Sequence, residues 1–148
     1  MQFDGLSFFE PEAAAPVETV ALAGAAVAAG FPSPATDYLE ERIDLNRELV
    51  RNPTASFLAR VRGESMRDAG LDDGDLILID RSRRPVSGSM VLAWVDGGFT
   101  VKTLVLTEGR ALLRAAHPGY LDLALSEEDG SQIWGVVTHI IRTVTRTP

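Results

Sequence analysis

Of the 14 cationic residues in this chain, 13 are arginine and one, Lys102, is lysine. Arginine stays protonated in proteins, whereas a desolvated lysine can shed its proton and act as a base. Lys102 lies in FTVKTLVL, where strand alternation sets it on the face of Leu104 and Leu106 and predicts a partly desolvated ammonium. At an ordinary lysine pKa of ~10.4 about one side chain in a thousand is neutral near pH 7.4. Lowering that value by roughly two units costs ~2.7 kcal/mol and raises the neutral fraction about a hundredfold. The alternation alone leaves a second reading open, a surface lysine whose stem covers the strand.

A base needs a nucleophile. Ser65 stands in RGESMRD just after the run FLARVR, and Gly63 before it permits a tight backbone turn. A serine at a strand exit can expose its Oγ while neighbouring N–H groups face an incoming carbonyl. Taken singly, Ser65 reads as an ordinary turn serine; taken with Lys102 it makes a candidate Ser-Lys dyad, a variant of the triad logic. His117 and His139 are the only histidines. His139 falls in the β-branched run VVTHII and reads as a packed or edge residue, and His117 reads as a solvated turn residue before Pro118. The acidic cluster Asp72-Asp73-Gly74-Asp75 lacks the spacing of an EF-hand loop and reads as turn chemistry. No metal site and no cofactor is expected. The absence of cysteine removes disulfides, thiolate catalysis and Cys-ligated zinc.

The elements that must position these residues divide the chain in three. Residues 1–29 are acidic and then Ala/Val-rich and read as an extended arm. Residues 30–55 form a linker. Its prolines, Pro32 and Pro34, predict extended backbone at Phe31 and Ser33, and DLNRELVRN predicts one or two helical turns capped by Asp44 or Asn46 and ending before Pro53. From residue 56 to 148, short Val/Ile/Leu-rich runs alternate with turn signals such as DDGD, RRPVSG, DGG and EEDGSQ. Val95 to Phe99 reads as a hairpin between two long strands. Six or seven strands at this spacing predict a mainly β, mostly antiparallel domain.

The blocks RGESMRDAGLDDGDLILID and GGFTVKTLVL resemble the self-cleaving domain of the LexA-type Ser-Lys peptidases. GFPSPATDYLEERIDLN and GVVTHIIR resemble the UmuD-like members of that family, those of SOS mutagenesis. The resemblance runs from Gly30 to about Thr143. Ser89, in SGSMV, departs from it where relatives often carry Asp, a change in a turn rather than in the dyad. The resemblance implies a compact LexA/signal-peptidase-like β domain, with Ser65 as nucleophile, Lys102 as general base and Ala29-Gly30 as the scissile bond. It also implies stimulation by RecA filaments on single-stranded DNA, and a homodimeric product that joins a Y-family translesion polymerase.

That assignment bears on the stretch VALAGAAVAAGFPSP, whose short apolar run followed by small residues has the outline of an export signal. Residues 1–30 contain no Lys or Arg but include Asp4, Glu10, Glu12 and Glu18, whereas a signal needs a basic start. Val20 to Ala29 is roughly half the ~20 residues needed to span a bilayer. A cytoplasmic protein whose own arm is the substrate is the reading that follows. Small Ala29 and Gly30 admit a close approach to the carbonyl, and Pro32 keeps the downstream chain extended so that it can lie along a strand edge. With ~3.3 Å of reach per residue, the segment from Gly30 to Ser65 permits cutting in cis or across a dimer.

The net charge of −7 argues against a nonspecific grip on nucleic acid. A truncated LexA-like repressor is disfavoured because residues 1–29 lack the basic recognition helix of a winged helix-turn-helix. A signal peptidase shares the chemistry but needs a membrane anchor. A noncatalytic β-domain adaptor is the alternative from another class, disfavoured by the joint presence of both dyad residues and the small-residue cleavage site.

Overall fold

β-Branched runs separated by Gly and Asp turns give a nine-stranded sheet in the computed structural model of the chain, which describes residues 2–3, 6–9, 17–23, 29–31 and 39–145. The chain divides into two units, one of residues 1–11 and 52–148, the other of residues 12–51.

The larger unit holds β1 (Gln2–Phe3), β2 (Leu6–Phe9), β5 (Ser56–Val61), β6 (Leu76–Asp80), β7 (Met90–Val95), β8 (Gly98–Thr107), β9 (Arg110–Arg114), β10 (Leu123–Ala124) and β11 (Gln132–Ile141). Their order is β1-β2-β5-β6-β11-β7-β8-β9-β10, and every neighbouring pair is antiparallel. The mainly β, antiparallel fold expected from the sequence is what the chain adopts. The expected hairpin is present: Val95 pairs with Gly98 across Asp96 and Gly97, whose φ values of 50° and 78° suit a two-residue type I′ turn.

Two apolar clusters form the core. One contains Ala59, Val61, Met66, Leu71, Ile77, Ile79, Leu92, Phe99 and Val101, and the other Val91, Ala93, Leu104 and Leu113. Phe99 stands between Trp94 and Trp134, its ring centroid 4.8 Å from each in edge-to-face contact. β11 meets β6 closely at Gly135, where an added Cβ would fall 2.5 Å from Cγ2 of Ile79.

The face of β8 that carries Lys102 is buried over only part of its length. Lys102 and Leu104 are buried as expected, but Leu106 is 51% exposed. The register gives the reason: β7 begins at Met90 opposite Thr103, so beyond that point the side of β8 away from β9 is lined only by the turn residues Ser87, Gly88 and Ser89.

The smaller unit pairs β3 (Thr19–Ala23) antiparallel with β4 (Leu39–Asp44), which runs into α1 (Leu45–Leu49). Asp44 caps that helix by accepting the Asn46 N–H, as DLNREL predicts. Phe31 lies in a bend and is 93% exposed; the extended backbone expected at Ser33 lies outside the described residues, as do positions 24–28 of the apolar run. Among the described residues no helix is long and apolar enough to cross a membrane.

Candidate active site

The serine is positioned by the exit from β5. The Val61 N–H donates to the Asp75 carbonyl at 2.8 Å, and the Gly74 N–H donates to the Val61 carbonyl at 2.7 Å. Two residues on, Gly63 takes φ +98°, a conformation costly to side chains with a Cβ, and donates its N–H to Oδ1 of Asp73 at 2.8 Å. The chain then turns through Glu64 and Ser65 into a single 3-10 turn, Arg67–Ala69. Buried Met66 and Leu71 pin this segment to the core on either side of that turn. Two further bonds clamp its backbone to the bend after β9: the Ala116 N–H donates to the Ser65 carbonyl, and the Asp68 N–H to the Ala116 carbonyl, both at 2.7 Å. Ser65 is half-buried. Its N–H and that of Glu64 donate no hydrogen bond among the described residues.

Lys102 is 6% exposed on β8, opposite Val91 of β7, which is fully buried. Nζ lies 2.8 Å from Oγ of Ser65, 2.9 Å from Oγ1 of Thr100 and 3.2 Å from the Val101 carbonyl. Two hydroxyls and a carbonyl are dipolar partners, and none carries the negative charge that would hold an ammonium in place. Burial therefore pushes the lysine below its ordinary pKa. The surface-lysine reading is excluded.

The structure brings Ser65 and Lys102 together within the larger unit. Ala29 and Gly30 belong to the smaller unit, where both are exposed in a bend. The histidines stand elsewhere. His139 is half-buried on β11 opposite Leu78, its Nδ1 2.9 Å from Oγ1 of Thr138. His117 has its Nδ1 2.7 Å from the Pro118 carbonyl and meets the Tyr120 ring edge-on. Ser89 closes the turn before β7 by accepting the Val86 N–H.

Three contributors were missed in the sequence. Thr100 shares a face with Lys102 two residues away, so alternation carried a signal for it. Ala116 carried none, since its role is purely main-chain. Arg142 carried none either, yet it anchors the loop after Ser65: it donates to both carboxylate oxygens of Asp75, which is 3% exposed, and to the Gly70 carbonyl at 2.8 Å. That bidentate bond holds the Asp75 carboxyl below its ordinary pKa. The acidic cluster thus serves as the anchor of a loop.

Known proteins are similar to this chain over most of its length. The model of the Peptidase S24-like family matches residues 21–138. Protein SamA of Salmonella typhimurium (strain LT2) is 46% identical over 119 residues, 80% of this chain and 82% of the relative. Protein MucA of Escherichia coli is 35% identical over 134 residues, 90% and 92% of the two chains. The LexA repressor of Azoarcus sp. (strain BH72) is 39% identical over 118 residues, 79% of this chain and 58% of the repressor.

Proposed function

This chain belongs to the Peptidase S24-like family, among UmuD-like relatives, and from that premise we propose that it cuts its own Ala29–Gly30 bond with a Ser65-Lys102 dyad. The observation that carries the reading is the 2.8 Å separation of Nζ and Oγ, with the lysine buried.

In this mechanism neutral Lys102 accepts the Ser65 hydroxyl proton as Oγ bonds to the Ala29 carbonyl carbon. The N–H groups of Glu64 and Ser65 donate to the developing oxyanion. The C–N bond to Gly30 breaks, and the leaving amine takes its proton from the Lys102 ammonium. Lys102, neutral again, takes a proton from water as its oxygen bonds to the acyl carbon, and returns that proton to Oγ of Ser65 as the ester bond breaks. Thr100 orients Nζ throughout. No metal or cofactor enters the scheme.

The UmuD-like resemblance extends the proposal. Cutting occurs in the cytoplasm and is accelerated by RecA filaments on single-stranded DNA during the SOS response. The product, residues 30–148, acts as a homodimer, the accessory subunit of a Y-family translesion polymerase.

The test is to hold the purified chain at about pH 10, where more lysine is neutral, and follow its mass. A fragment beginning at Gly30, absent from Ser65→Ala and Lys102→Ala proteins, supports the reading. A chain that stays intact at high pH and with RecA filaments favours a noncatalytic adaptor, and a different new terminus refutes the assigned bond.

A further inference from the structure

The sheet of the larger unit does not begin at β5. Residues 6–9 lie antiparallel along its outer edge, with Leu6 opposite Val61, Ser7 opposite Arg60, Phe8 opposite Ala59 and Phe9 opposite Leu58. Alternation assigns the hydrogen bonds. The Val61 N–H points inward, to the carbonyl of Asp75 just before β6, so those of Leu58 and Arg60 point outward to β2. Without β2 these groups form an open strand edge, which pairs readily with any extended chain.

The covalent link from β2 to β5 runs through residues 10–55 and so through Ala29–Gly30. Cutting that bond changes the pairing from intramolecular to intermolecular: the covalent tether is lost, and the amino-terminal fragment is held only by its short strand pairings, β2 with β5 and β3 with β4. A four-residue strand on an edge holds weakly once untethered.

We propose that the outer edge of β5 is a strand-docking site, filled in the intact chain by its own residues 6–9 and vacated by cleavage. The shortened chain then takes an extended segment of a partner protein there as an antiparallel strand. This rests on the cleavage reading for its trigger but not for the site. The built-in occupant states the chemistry of the ligand: the uncharged apolar run Leu6-Ser7-Phe8-Phe9, flanked by the carboxylates of Asp4, Glu10 and Glu12. Arg60 and Arg62, both exposed, supply the opposite charge on β5 and at its exit. The partner segment is accordingly apolar at its centre and acidic at its ends.

The experiment uses the full chain with Ser65→Ala, so that its own serine cannot act, and a site-specific protease sequence in place of residues 12–16. Amide hydrogen exchange is followed before cutting, after cutting and removal of the amino-terminal fragment, and after adding the peptide QFDGLSFFEP. The fragment should separate on gel filtration. Exchange at Leu58 and Arg60 should then quicken at least ~10-fold while Ala59 and Val61, bonded to β6, stay slow. The peptide should restore protection, and its Ser7→Pro version should not. A fragment that never leaves, or Leu58 and Arg60 amides that stay slow without it, or no restoration by the peptide, overturns the proposal. If the engineered cut opens the edge but the chain with native Ser65 never severs Ala29–Gly30, the trigger is overturned and the docking site stands.

Discussion

Nζ of Lys102 and Oγ of Ser65 meet at 2.8 Å although 37 positions separate them in the chain, one on a ten-residue strand and the other on a turn held by buried neighbours. The contact is made by an amine that burial has already pushed toward its neutral form.

The first consequence is a pH profile. A lysine with a lowered pKa becomes neutral at lower pH than a free one. Self-cleavage should rise with pH as a single titration and level off with a midpoint below the ordinary ~10.4. Rates of fragment appearance from about pH 6 to 11 measure it; a midpoint at or above 10.4 contradicts the burial argument.

Thr100→Val removes one hydroxyl from Nζ at nearly constant shape. The charged amine loses an acceptor, so the midpoint should move further down, and loss of orientation should lower the plateau rate by about 10-fold. A merely structural role would leave the midpoint in place.

Lys102→Met should abolish cleavage yet leave the fold as stable or up to about 1 kcal/mol more stable, because an apolar chain replaces a buried amine that lacks a counter-charge. Denaturant unfolding of this variant against Ser65→Ala tests it. A large loss of stability would show that the amine serves the fold.

The legibility of the site in the sequence follows the same physics. Lys102 stood out because a chain that otherwise uses arginine placed its one lysine in a β-branched run. Ser65 stood out only in company, because glycine before a turn serine is common. The hairpin at Asp96-Gly97 and the Asp44 cap were legible because they are local hydrogen-bonding patterns. Leu106 misled because alternation assigns a face and says nothing about how far the neighbouring strand extends. Arg142 was illegible because its partner, Asp75, is remote in sequence, and the pairing of residues 6–9 with β5 was illegible for the same reason.

Arg142→Ala leaves the buried Asp75 carboxylate with the Asp72 N–H but without its counter-charge and should cost about 2 kcal/mol near neutral pH. The folded pKa of Asp75 lies below its unfolded value, so this contribution is present above ~3.9 and fades as pH falls through the folded value. Urea unfolding of wild type and variant at about pH 7 and pH 3 should show the gap narrowing at the lower pH. Cleavage should slow as well, since Arg142 holds the Gly70 carbonyl in the loop after Ser65.

Gly135→Ala places a Cβ against Ile79 of the core and should destabilise by about 2 kcal/mol. Pairing it with Ile79→Ala should give less than the sum of the two losses, because the smaller side chain frees the space. Additive losses would contradict the close approach of β6 and β11.

Because Lys102 is the only lysine, labelling the full-length chain with lysine carrying 13C at Cε gives one side-chain signal with no assignment to make. Its chemical shift followed against pH reads the protonation of Nζ directly. A midpoint well below ~10.4 that coincides with the midpoint of the cleavage profile is the result expected of a buried general base. A midpoint at the value of a free lysine, with cleavage following some other group, would contradict it.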